Sequence, residues 1–317
     1  MRSRDGCQRR ACGEGMTKKT RRDIVIDSVL YLLLVLLCFS MLYPFWNSVV
    51  LSFNDGVDAI RGGITFWPRE FTLANYEFVL QDRRLARAYG NTVFRTVVGT
   101  LMGIVLTSQL AYGLSKRNLL GRKQYMWIAV FTMYFGGGLI PFYLLIRGLG
   151  LLNNRLVYLF VVGAGPALVS VFHMIIFRSF FLGVPDSLED SARIDGAGYY
   201  TVYYRIVVPV STPVFATLIL FQAVNHWNSW FDGAIFMTDP NKVPLQTLLR
   251  QIINSNAMEE LMGELQGTAA EALAMSSVTT RTLSMATMVF ATLPILFVYP
   301  FVQRFFVHGL MIGSLKG

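Results

Sequence analysis

Apolar, almost uncharged runs of about 20 residues recur along this chain, each long enough to cross a hydrocarbon layer at about 1.5 Å rise per helical residue. Six stand out, at 28–51, 92–114, 125–146, 156–177, 212–237 and 283–302. A soluble fold breaks its apolar stripes with charge and carries roughly a quarter charged residues. Here 15% of 317 residues are charged, 54% are hydrophobic and the mean hydropathy is +0.47. That balance excludes a disordered chain and argues against a cytosolic enzyme. The expected fold class is an all-α, polytopic membrane protein with six transmembrane helices. The first run follows a basic region, as a signal peptide does, but it is too long for an h-region and no small-x-small site precedes Tyr43, Pro44, Phe45 and Trp46.

Six crossings place both termini on one side, and the basic residues choose that side. The net charge of +9 suits nucleic acid, yet its basic residues are not spread over a surface. Arg2, Arg4, Arg9, Arg10, Lys18, Lys19, Arg21 and Arg22 fill the arm 1–27, and Lys116, Arg117, Arg122 and Lys123 follow the second run. Both segments are expected in the cytoplasm of a cell-membrane protein, with no nucleic-acid partner. Met16 opens its own basic cluster and offers a second start. The connection 52–91 balances its arginines against acids, and 238–281 is acidic through Asp239, Glu259, Glu260, Glu264 and Glu271. These two are expected outside; the loop 183–211 and the tail 306–317 are expected inside. Cys7, Cys12 and Cys38 form neither a C-x-x-C pair nor an even framework, so no disulfide scaffold or zinc site is indicated.

An ion-coupled carrier needs ionisable groups at membrane depth. Arg95, Asp232, His173 and His226 are all the runs offer, too few for a proton relay. No H-E-x-x-H, G-x-S-x-G or G-x-x-x-x-G-K-[ST] pattern is present, so no catalytic residue, metal or cofactor is expected, and energy for active transport must come from another chain. Gly136, Gly137 and Gly138 lack the following Lys of a phosphate cradle and read as a packing contact or hinge. Gly99 and Gly103 form G-x-x-x-G, which permits close helix approach.

The loop after the fourth run carries more information. Ser187 and Asp190 form an [ST]-x-x-[DE] helix start, with Glu189 and Asp190 in the first turn where the dipole favours anions. Gly196 suits the left-handed position that closes a helix. The two turns between them place Leu188, Ser191, Ala192 and Asp195 on one face, whose small side chains let another surface come close. Apolar Val202, Ile206 and Val207 lead on to Pro209. By geometry alone the loop could equally be a solvated connection.

This stretch resembles the EAA loop of membrane subunits of binding-protein-dependent ABC importers, E-A-A-x-x-x-G followed after nine residues by I-x-L-P. Asp190, Ser191 and Ala192 stand at E-A-A, Gly196 at the glycine, and Ile206, Val208 and Pro209 at I, L and P. Arg193-Ile194-Asp195-Gly196-Ala197 is similar to the carbohydrate-importer form. Further likeness lies in Phe71-Thr72-Leu73-Ala74-Asn75-Tyr76, Asn91-Thr92, Trp227-Asn228 and the tail from His308 to Gly317. Together they resemble the maltose-type carbohydrate-uptake branch that handles products of polysaccharide breakdown.

The resemblance implies the membrane-spanning subunit of an ATP-driven sugar or oligosaccharide importer, forming half of the pathway. Its partners would be cytoplasmic ABC ATPase subunits, a second homologous permease subunit, an extracytoplasmic solute-binding protein and the lipid bilayer. Glu189, Asp190, Ser191, Ala192, Arg193, Asp195, Gly196, Ile206 and Pro209 would couple to the ATPase. Arg95, His226, Trp227 and Asn228 are candidates for the sugar path. A packed polar residue between helices is the plainer reading of His226, interface anchoring the favoured one of Trp230, and Trp227 stays open. The segment Met258 to Leu265 reads as a small amphipathic helix that docks the binding protein or packs over the run ends. The competing expectations are the same architecture carrying a peptide or polyamine, and a membrane anchor or assembly protein without transport.

Overall fold

The computed structural model describes residues 21–64, 66–163, 165–266 and 278–314, with the side chains of 21, 256–266, 298–299 and 301–314 left out of the description. Most of the basic arm, with Cys7 and Cys12, lies outside these residues. In chain order the helices are α1 (Arg21–Ser52), α2 (Gly56–Ile60), α3 (Ala74–Gln81), α4 (Arg83–Ser115), α5 (Arg122–Tyr134) and α6 (Leu139–Gly148). A short α7 (Val157–Phe160) leads into a two-stranded hairpin, β1 (Val161–Val162) and β2 (Gly165–Pro166), and then α8 (Val171–Phe181). There follow α9 (Asp186–Ile194), α10 (Tyr199–Val202), α11 (Val208–Val210), α12 (Thr212–Asn228), α13 (Phe231–Phe236), α14 (Leu245–Gln266) and α15 (Thr280–Ser314). Among the described residues, three helices (α1, α4 and α15) are long and apolar enough to cross a membrane, and up to six crossings result if each of three sharply bent helix pairs counts as one.

The long helices divide by surface. Leu30 to Leu37 on α1 are all more than half exposed, so this helix is apolar on every face, as suits a helix surrounded by lipid. α4 instead buries a polar and small-residue stripe, Arg95, Gly99, Thr100, Gly103, Thr107, Ser108 and Ala111, against α12 and α8. Small residues let backbones approach closely where apolar burial cannot discriminate protein from lipid. One apolar cluster joins Ile104, Ala111 and Tyr112 of α4 to Met174, Phe177 and Phe181 of α8 and to Val202, Tyr203, Val207 and Leu218 beyond. At the other end, buried Asn75 donates to Ser52 O and Asn54 O at 3.0 Å each and accepts from Thr282 Oγ1 at 2.8 Å, which ties α3 to the ends of α1 and α15.

Three runs depart from single continuous helices. The third is broken at Phe135 to Gly138, with a bend of 109° between α5 and α6. Gly138 takes φ +88°, and added Cβ atoms at Gly136, Gly137 or Gly138 meet nothing within 4 Å, so the cluster is a hinge and not a packing contact. The fourth is interrupted at its middle: the short α7 gives way to the hairpin before α8 begins, because Gly163 turns at φ +62° and Pro166 has no N–H to donate. Protein groups satisfy the freed backbone, Gly163 N–H donating to Ser229 Oγ at 2.9 Å and Ser170 N–H to Thr107 Oγ1 at 3.2 Å. Non-helical backbone at membrane depth needs such partners. The fifth run stops at Asn228, not Met237, and restarts as α13, since the Asp232 carboxylate accepts from Ser229 Oγ and Gly233 N–H at 3.0 Å each. The helix expected at 258–265 is the later part of the longer α14, and α15 runs past the sixth apolar stretch through Pro294 and Pro300 to Ser314.

Candidate functional site

The loop 183–211 folds as the helix α9, a glycine turn and a second helical segment. Its start differs from the expected capping box: α9 begins at Asp186 behind Pro185, and no side chain caps it. Pro185, at φ −59°, already sets the backbone for a helix start, so Ser187 lies inside the first turn, where its carbonyl accepts from Ser191 Oγ at 2.8 Å. The end of the helix follows the glycine rule. Gly196 stands at φ +83°, Ala197 N–H donates to Ala192 O at 2.9 Å and Gly196 N–H to Arg193 O at 3.0 Å, a Schellman closure.

The helix does not present the face the spacing suggested. Ala192 turns inward against the core cluster, while Leu188, Asp190, Ser191, Asp195 and above all Ile194, 87% exposed, point outward. Asp186 is exposed too, whereas Glu189 turns toward the body of the protein. Its carboxylate pairs with Lys116, just past the end of α4, and lies 3.9 Å from Arg193. Lys116 Nζ sits 3.9 Å above the Tyr112 ring, and the Arg193 guanidinium 4.8 Å above Tyr199. Ser115, Lys116, Asp186, Glu189, Asp190 and Arg193 line a polar cleft of about 220 Å³ between α9 and the α4–α5 turn. Lys116 counts in the sequence only as one basic residue after the second run; its i,i+4 spacing from Tyr112 is the one local signal of this role.

Beyond the glycine, Val202, Tyr203 and Val207 are buried and Ile206 packs beside them. Pro209 has no N–H to give Arg205 O four residues back, and the preceding turn widens so that Val208 N–H reaches Tyr203 O. Tyr203 Oη and Ser108 Oγ, 2.7 Å apart and buried, bind this segment to α4.

The four candidates for the sugar path separate. Arg95 is fully buried: Nη1 donates to Asp232 Oδ1 and Ser229 O at 3.1 Å each, Nη2 bonds Oδ2, and Tyr158 lies under the guanidinium. His226 is fully buried against Gly99, with Nε2 3.4 Å from Gln222 Nε2. Trp227 is buried and its indole N–H donates to Ala291 O at 3.1 Å, holding α12 to α15. Asn228 alone is exposed. With Trp227, with Asn225, which the sequence reading did not single out, and with Thr96, Phe221 and Pro294, it lines a mainly apolar groove of about 680 Å³. Trp230 stacks under the Arg250 guanidinium at 3.8 Å.

Five side-chain atoms among the described residues are buried without a hydrogen-bond partner, and four of them belong to one seam of α4 with α12 and α13: Arg95 Nε, Thr96 Oγ1, Thr100 Oγ1 and His226 Nδ1. Buried polar groups normally find partners, so this seam is the least satisfied interior contact described. Among the described residues no cluster of His, Cys, Asp and Glu has a metal-binding arrangement.

Residues 99–311 match the family described as the inner membrane component of binding-protein-dependent transport systems. The chain is 35% identical over 296 residues to the polygalacturonan/rhamnogalacturonan transport system permease protein YtcP of Bacillus subtilis (strain 168), covering 93% of this chain and 100% of that protein. It is 36% identical over 274 residues to protein LplC of the same organism, covering 86% of this chain and 89% of the other. Among solved structures, a chain of a bacterial ABC transporter involved in the import of the acidic polysaccharide alginate superposes with TM-score 0.80 at 32% identity, over 90% of this chain and 98% of that one. The family likeness therefore extends over most of the chain, and the chain belongs to the family of inner membrane components of binding-protein-dependent transport systems.

Proposed function

We propose that this chain, a permease component of a carbohydrate ABC importer, moves oligosaccharides derived from an acidic polysaccharide and couples to a cytoplasmic ATPase through α9. The observation that carries the coupling is the form of that helix. It is short, closed by a left-handed glycine and anchored through Ala192, and it offers Asp186, Leu188, Asp190, Ser191 and Ile194 to a partner. A helix held in this way transmits a push from a closing ATPase dimer as a rigid-body motion.

In this reading the chain crosses the membrane six times, by α1, α4, α5 with α6, the segment 157–181, α12 with α13, and α15. Both termini and the loop 183–211 are cytoplasmic. A second homologous permease completes the pathway, and a solute-binding protein delivers the sugar from outside. Asn225, Asn228 and Trp227 form the wall that meets the sugar, and buried Arg95 and His226 hold that wall from behind. The acidic substrate is supported by the transporters of polygalacturonan and alginate among the relatives.

The test is to tag the chain, solubilise the membrane gently and identify what co-purifies by mass spectrometry. An ATPase and a second permease are expected. The recovered complex, supplied with its binding protein, should hydrolyse ATP faster with oligogalacturonides or alginate oligosaccharides than with neutral oligosaccharides. Stimulation by a peptide or polyamine would replace the sugar. A chain recovered alone that still transports after reconstitution would overturn the reading, and a complex without uptake would leave an anchor.

A further inference from the structure

Three acidic residues of α9 border the cleft beside the α4–α5 turn, and they differ in how far they are withdrawn from solvent. Asp186 and Asp190 are exposed; the Glu189 side chain is only 13% exposed and is turned onto the end of α4. There it meets Lys116, itself 21% exposed, above the Tyr112 ring, with Tyr112 Oη 3.5 Å from the same carboxylate. Tyr112 is buried in the junction of four elements, with ring centroids 6.3 Å from Phe181 at the end of α8 and 5.2 Å from Tyr203 after α10. Arg193, one turn along α9, flanks the same carboxylate.

We infer that Glu189 is a positioning residue that latches the coupling helix to the end of α4 through Lys116, and that it is not itself a contact for the ATPase. The inference rests on the coupling role proposed for α9. α9 is held to the body by this ion pair, by the packing of Ala192 and by Arg193 over Tyr199, and of these the ion pair is the tie to the end of α4. A displacement of α9 without the latch would be absorbed by the Gly196 turn. With the latch it passes to α4, which continues without proline to Arg95, about 30 Å away at 1.5 Å per residue. The low exposure of both partners makes the pair stronger and less sensitive to salt than a surface pair.

Lys116→Met and Glu189→Gln in the assembled, reconstituted complex test this. Both variants are expected to retain the ATPase at wild-type stoichiometry and to hydrolyse ATP, while sugar moved per ATP falls about 5-fold or more, the range of a site-to-site coupling. The exchange Lys116→Glu with Glu189→Lys is expected to recover most of the lost ratio. Asp190→Ala, which removes an exposed carboxylate at the rim of the same cleft, should instead weaken ATPase retention. An unchanged transport-to-ATP ratio in Lys116→Met would overturn the latch and leave the proposed function standing, as would loss of the ATPase from Glu189→Gln with no effect of Lys116→Met. A wild-type complex that holds no ATPase would overturn the proposed function instead.

Discussion

A Cβ added to Gly99 would lie 2.5 Å from Cε1 and 2.8 Å from Nε2 of His226, so α4 and α12 touch at a place where only a hydrogen fits. Gly103, one turn further along, faces Gln222 Nε2 at 3.1 Å and Ala167 O at 3.2 Å in the same way. Gly99→Ala should therefore overpack the seam and destabilise the protein by about 1–3 kcal/mol. Thermal unfolding in detergent checks this, and Gly99→Ala combined with His226→Ala should regain much of the loss. A Gly99→Ala protein as stable as the wild type would mean that the imidazole has somewhere else to go.

Arg95 and Asp232 form a fully buried ion pair between α4 and α13. Removing one partner strands a charge away from water, and either Arg95→Met or Asp232→Leu should cost about 3–5 kcal/mol. The double replacement removes both charges and should recover most of that cost. Folded yield after detergent extraction, measured for all four proteins of the cycle, decides it; strict additivity of the single losses would show that the pair is not the relevant contact.

Gly196 has open space around it, yet stands at φ +83°. Gly196→Ala should cost about 1 kcal/mol through backbone strain alone. Because the strain falls on the turn that sets the pose of α9, ATPase co-purification or sugar uptake should fall more than thermal stability does. Gly196→Asp adds a carboxylate at the same place and should be worse. Normal uptake in Gly196→Asp would remove the loop from the coupling path.

The bend between α5 and α6 depends on one glycine more than on its neighbours. Gly138 needs a positive φ, whereas Gly136 and Gly137 stand at ordinary φ in open space. Gly137→Ala should be close to neutral, and Gly138→Val should destabilise by more than 1 kcal/mol, roughly the cost of a left-handed backbone for an ordinary residue. Equal melting temperatures for the two variants would show that the hinge tolerates another backbone path.

The apolar runs were legible because lipid selects for length and hydropathy along a single stretch of chain. The turn at Gly196, the close approach at Gly99 and the hinge at the glycine cluster were legible for a related reason: each is a local demand that few residues meet. The loop pattern from Asp190 to Pro209 carried the family resemblance, and the family is shown by matches over most of the chain. What the sequence did not disclose is where side chains separated by many residues find one another. Glu189 satisfies a first-turn rule on paper, yet its carboxylate goes to Lys116, 73 positions away. Arg95 reads as a lone cation in an apolar run until Asp232, 137 positions away, neutralises it. The fourth run has the hydropathy of a helix, but its backbone can leave the helix because Ser229 and Thr107 accept the freed N–H groups. Pairing, burial and the breaking of helices are thus decided by partners that only the tertiary structure brings within hydrogen-bonding distance, because in a medium without water a backbone group freed from its helix must find its partner in the protein.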